Sequence, residues 1–175
     1  MRQRKRQCGM TTVEMALVGG LFFTLIFSIL QFANWVLDRT IMMNAALEGA
    51  RVFAASRHYA TPYESTRSAV NARLPVNKQV AAGSTRMRLT VTEGGVTTQP
   101  CYNDSDCRNR LGTDPSFNTT NDPIKVKDAV CMDPGTTASV NLQWNTPIFW
   151  NIRLPGSMTV TMSEMVQGVN TEPCP

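Results

Sequence analysis

From Met15 to Leu37 the chain carries no charged side chain, and Leu21, Phe22, Phe23, Leu25, Ile26, Phe27, Ile29, Leu30 and Phe32 make the run strongly apolar. At a rise of about 1.5 Å per residue, these 23 residues as a helix cover roughly 34 Å, enough for a hydrocarbon core of about 30 Å with slight tilt. The pattern then changes but stays helical. Ile41, Ala45, Leu47, Val52, Ala54 and Ala55 keep apolar and small positions with no breaker other than Gly49, which predicts one helix from Met10 to about Tyr59, a rod of roughly 50 residues and about 75 Å. Small residues at 45, 46, 49, 50, 54 and 55 permit close approach, either of another subunit or of the chain's own sheet.

Thr61-Pro62-Tyr63-Glu64 reads as a cap, a proline at the first helical position and a Glu three residues after the Thr. That is a capping box opening a second helix. The helix is predicted over Pro62 to about Arg73, because Leu74 precedes Pro75 and is pushed out of helical geometry. Strand signals come next. Residues 86–92, 138–144 and 157–163 alternate polar and apolar, and Glu93-Gly94-Gly95 turns the first of them into Val96-Thr97-Thr98. The fold class is therefore α+β, a long N-terminal helix packed on a small antiparallel sheet with one buried face. Met87, Leu89, Val91, Val140, Leu142, Trp144, Met158, Val160 and Met162 are its expected core.

Charge narrows the partners. Lys and Arg total 17 against 13 Asp and Glu, but Arg2, Arg4, Lys5 and Arg6 lie in the first nine residues, leaving 13 of each sign beyond them. No basic field remains to hold a phosphate backbone, so nucleic acid is excluded as a partner and the lipid bilayer is favoured. A basic cluster flanking the apolar run keeps the short N-terminus cytoplasmic and exports the chain beyond Asp38. The apolar run is longer than a secretory signal core of about 7 to 15 residues, and it passes through Gln31, Asn34 and Trp35 into helix-like sequence instead of a small-x-small cleavage site.

The order of residues ahead of the run is Arg4-Lys5-Arg6-Gln7-Cys8-Gly9-Met10-Thr11-Thr12-Val13-Glu14. A carboxylate at the head of an apolar helix costs about 2.5 to 3.5 kcal/mol at the bilayer centre and less near the interface, where it also complements the helix dipole. A short basic leader ending in Gly, followed by a helix with Glu at its fifth position, resembles the type III signal of type IV pilins and pseudopilins. Thr12-Val13-Glu14-Met15-Ala16-Leu17-Val18, Gln31-Phe32 and Asn44-Ala45-Ala46-Leu47-Glu48-Gly49-Ala50-Arg51 are similar to the TadE family of tight-adherence pilus systems, over residues 4 to about 57. TadF-like and TadG-like proteins share much of this architecture, and Met15 stands where the family usually has an aromatic. The resemblance implies cleavage by a prepilin peptidase between Gly9 and Met10. It implies that Glu14, then mature position five, meets the new α-amine of a neighbouring subunit in an apolar bundle, where an unpaired carboxylate is costly.

Between the strands, residues 99–135 are rich in Asn, Asp, Thr and Pro and lack periodicity, so a loop of that length needs a tie. Cys8 lies in the leader. Cys101, Cys107, Cys131 and Cys174 form an even set on the exported side, which predicts two disulfides with three possible pairings, one of them stapling the tail to the loop. Zinc is disfavoured because the four lack paired C-x2-C spacing. Asn103-Asp104-Ser105-Asp106 lacks the Gly and terminal Glu of a calcium loop and reads as a solvated Asx-rich turn.

No catalytic constellation and no cofactor motif emerges. His58 stands between Arg57 and Tyr59 without a nucleophile to activate, and Asn118-Thr119-Thr120 matches a glycosylation acceptor that the resemblance, which implies a bacterial cell, makes incidental. The expected organisation is a leader over 1–9, a long helix over 10–60 containing the span 15–37, and an exported domain over 61–175. Two functions fit it. One is a minor pilin or pseudopilin of the bacterial inner membrane, with a prepilin peptidase, other pilin subunits and the inner-membrane assembly platform as partners, used in assembly, priming or tip adhesion. The other is an uncleaved single-pass envelope protein whose periplasmic domain binds a component of a secretion or conjugation machine.

Overall fold

The computed structural model describes residues 10–56, 61–80, 85–111, 132–145 and 157–167. Helix α1 spans Met10–Ala55, α2 Pro62–Arg73 and α3 Asp104–Leu111; strands β1 to β4 span Thr85–Glu93, Val96–Thr97, Thr137–Asn145 and Ser157–Met165. The chain divides into two units, Met1–Asp38 and Arg39–Pro175. The first holds the apolar part of α1. The second holds the rest of α1 and everything after it.

In the second unit the four strands form one antiparallel sheet in the order β2-β1-β3-β4. Register obeys the alternation in the sequence: Leu89 faces Val140 across β1 and β3, and Leu142 faces Val160 across β3 and β4. Consecutive side chains on a strand point to opposite faces, so the apolar set shares one side. Eight of the nine expected core residues are buried; Met162 is half-buried, near the end of an edge strand. Gly94 and Gly95 turn β1 into β2 with φ of 55° and 84°, a left-handed pair that a two-residue hairpin requires and that side chains disfavour.

The C-terminal part of α1 covers this face. Met42, Ala45, Ala46, Ala50, Phe53 and Ala54 are buried, a spacing of three and four that keeps them on one stripe. Gly49 marks the closest approach. A Cβ placed there would lie 2.6 Å from Val70 Cγ2 of α2 and 3.6 Å from Val140 Cγ1 of β3, so a helix, a second helix and the sheet meet at a residue without a side chain. Of the two roles open to the small residues, covering the chain's own domain is the one seen, except at Ala55, which is exposed. The helix ends at Ala55, where the Ser56 hydroxyl donates to Phe53 O at 2.8 Å; residues 57–60, His58 among them, lie outside the described set.

Helix α2 has its expected bounds but not its expected cap. Thr61 makes no side-chain capping bond, and Glu64 instead pairs with Arg67 at 2.9 Å. The cap comes from Asp104, whose Oδ1 accepts the backbone N–H of Tyr63 at 2.8 Å and of Glu64 at 3.4 Å. A carboxylate is the better acceptor for the positive end of a helix, so it displaces the local hydroxyl. The Asx-rich stretch is thus not a solvated turn. Asn103 Oδ1 accepts the Asp106 N–H at 2.7 Å and opens α3, while Asp104 reaches across to α2.

Candidate assembly site on the apolar helix

Between Val13 and Leu37 the large apolar side chains of α1 are exposed, apart from half-buried Ile26: Met15 by 76%, Leu21 by 71% and Phe32 by 66%. A soluble protein rarely leaves so large a continuous patch uncovered. By length and composition the helix can cross a membrane, and none of its most apolar window is buried inside the chain. A strictly amphipathic helix would show one apolar stripe; here apolar residues surround the axis, as a bilayer or a bundle of like helices demands.

Polar groups along it are few. The Thr24 hydroxyl donates to Leu21 O at 2.8 Å and the Ser28 hydroxyl to Thr24 O at 2.7 Å, so both satisfy themselves on their own helix. Phe32 and Trp35 stack with ring centroids 6.0 Å apart near the C-terminal end of the apolar run. Glu14 sits in the second turn with its side chain exposed, flanked by Val13 and Met15. A carboxylate so placed is reachable by a group from another chain.

Gly9 lies outside the described residues; Met10 is the first residue of α1 as described, and its side chain is outside the described set. Residues 9–51 match the model of the TadE-like protein family. The N-terminal segment is TadE-like. That match starts at the glycine, takes in Glu14 and the apolar run, and ends at Arg51, within the stretch whose residues carried the resemblance. No curated protein and no solved structure matches the chain.

In the second unit, Cys101 and Cys107 are joined in a disulfide and both are buried. This resolves one of the two expected bridges, and it spends both sulfurs so that neither serves as a zinc thiolate. Cys131 and Cys174 lie outside the described residues. Cys101 also exchanges backbone hydrogen bonds with Leu89, at 2.9 and 3.2 Å, so the bridge fastens α3 to the edge of β1. Arg110 adds a second tie, donating to Pro100 O at 2.8 Å. Asp104, whose capping of α2 sequence reasoning missed, is held in place by this arrangement; its only local signal is an Asn-Asp pair before a polar stretch.

Near α2, burial pushes the Tyr63 phenol above its ordinary value of 10.0, with Arg67 opposing and Glu64 and Asp104 adding to the rise. Lys78 places its ammonium 4.4 Å from the Trp144 ring centroid and contributes its carbonyl to the Thr85 hydroxyl at 2.6 Å. These contacts hold the domain together; no group of three or more His, Cys, Asp or Glu placed to bind a metal is present among the described residues.

Proposed function

We propose that this chain is a minor pilin or pseudopilin of a Tad-type pilus, cut by a prepilin peptidase after Gly9 and held in the bacterial inner membrane by α1. The short leader is cytoplasmic and the disulfide-tied domain is periplasmic, outward-facing once the subunit joins a fibre. Its role is structural, in assembly, priming or tip adhesion, and not enzymatic. The observation that carries this reading is Glu14, an exposed carboxylate heading an exposed apolar helix inside the TadE-like segment.

Cleavage creates an α-amine on Met10, four residues from Glu14. In a bundle of such helices, the amine of one subunit and the Glu14 carboxylate of the next neutralise each other where neither can be hydrated. Breaking a buried pair by removing one partner costs about 3 to 5 kcal/mol, so mispaired subunits are rejected from the bundle. Pilin subunits and the inner-membrane assembly platform are the partners this chemistry requires.

Intact-mass spectrometry of the membrane-extracted protein, from cells with active prepilin peptidase, tests the processing step. The expected mass is that of a chain starting at Met10, and Gly9→Val restores the full-length mass. A full-length wild-type chain overturns the reading and leaves an uncleaved single-pass envelope protein that binds a secretion or conjugation component.

A further inference from the structure

Three of the four polar residues Thr24, Ser28, Gln31 and Asn34 in the charge-free run share one face. Thr24, Ser28 and Gln31 are spaced four and three residues apart, which at about 100° per residue puts them within an arc of about 60°. Phe22, Ile26 and Ile29 occupy the opposite side. Taking Glu14 and Asp38 as the flanking charges, Gln31 lies about 7.5 Å from the midpoint, well inside a half-thickness of about 15 Å.

The three are not equivalent. The two hydroxyls are satisfied on their own helix. The Gln31 carboxamide is exposed and makes no hydrogen bond among the described residues, although it offers two donors and an acceptor. At that depth there is no water to satisfy it, and lipid tails offer neither donor nor acceptor.

We infer that the Thr24–Ser28–Gln31 face is the seam of a parallel dimer of this chain within the bilayer, closed by hydrogen bonds between the two Gln31 carboxamides. A second copy fits for a specific reason. Both copies insert with the same orientation, so their Gln31 groups arrive at the same depth. A carboxamide is also complementary to itself, one N–H to the other C=O. Gly20, Thr24 and Ser28 extend little from the backbone, and this lets the helices come close enough for the two amides to meet. The inference rests on α1 crossing a membrane; it needs neither cleavage at Gly9 nor pairing by Glu14.

The test uses the full, unprocessed chain, labelled at its C-terminus with donor or acceptor dye and reconstituted in phosphatidylcholine vesicles. Energy transfer that falls on lipid dilution is expected for the wild type. Gln31→Leu should weaken dimerisation by about 5- to 30-fold, the factor that corresponds to roughly 1 to 2 kcal/mol for an interhelical amide contact. Ile29→Gln added to Gln31→Leu should not restore it, since the amide then points away from the seam. Unchanged transfer in Gln31→Leu, full restoration by the double variant, or no transfer in the wild type each overturns the inference. Failure of the chain to float with the vesicles overturns the membrane reading beneath it, and intact-mass results on Gly9 bear on neither.

Discussion

Gly49 is the position where one atom decides the packing. A methyl group there would sit 2.6 Å from Val70 Cγ2, too close for either helix to absorb without moving. Gly49→Ala is expected to destabilise the second unit by about 1 to 3 kcal/mol, less the few tenths that alanine returns as a better helix former. Val70→Ala in the same chain should recover part of the loss, a non-additivity readable by chemical denaturation in detergent. Asp104 acts at the same scale through a hydrogen bond. Asp104→Ala should cost about 1 kcal/mol by uncapping α2, while Asp104→Asn, which keeps an acceptor, should cost less. Tyr63 gives a pH dependence. Burial makes its phenol a weaker acid in the fold than in the unfolded chain, so the unfolded state ionises first as pH rises past 10.0 and stability falls from there upward. Tyr63→Phe should flatten that alkaline decline.

Among the elements, the bridge between Cys101 and Cys107 does more than close a small loop. It anchors α3 to β1, and α3 carries the cap of α2. Replacing both cysteines with Ser should cost about 2 kcal/mol from loop closure. The loss should exceed that of Asp104→Ala, and amide exchange at Tyr63 and Glu64 should quicken. The elements themselves differed in how plainly the sequence announced them. Alternation marked β1, β3 and β4 and their shared buried face, and Pro62 with Leu74-Pro75 marked both ends of α2, because these signals are local. Helix α3 was silent: Asp104–Leu111 is polar apart from Cys107 and Leu111, so it has no apolar stripe to betray a helical period. The cap of α2 was misassigned to Thr61 because its true partner lies 41 residues away, beyond any spacing rule. Likewise, four cysteines permitted three pairings, and only the fold brought Cys101 to Cys107.

For the whole molecule, two environments divide the chain. The second unit buries its apolar residues in the usual way, with a helix on a sheet, while the first exposes nearly all of its own. Such a surface is stable only in lipid or among similar helices, and the TadE-like match over residues 9–51 covers it. Gly9 and Glu14 at fixed spacing before an apolar run are a signal of the sequence; of the two, the described residues include Glu14, exposed on α1. The Gln31 face was less legible, since a single amide in a greasy helix draws notice only when its lack of a partner is seen. Both proposals call on neighbouring copies, and the central one concerns Glu14. The most direct measurement is filament yield in cells whose chain carries Glu14→Ala, scored beside intact mass to separate assembly from processing. The account expects the variant to be cut after Gly9 yet to support few or no filaments, with Glu14→Asp retaining part of the yield. Filaments at the wild-type level with Glu14→Ala would contradict it.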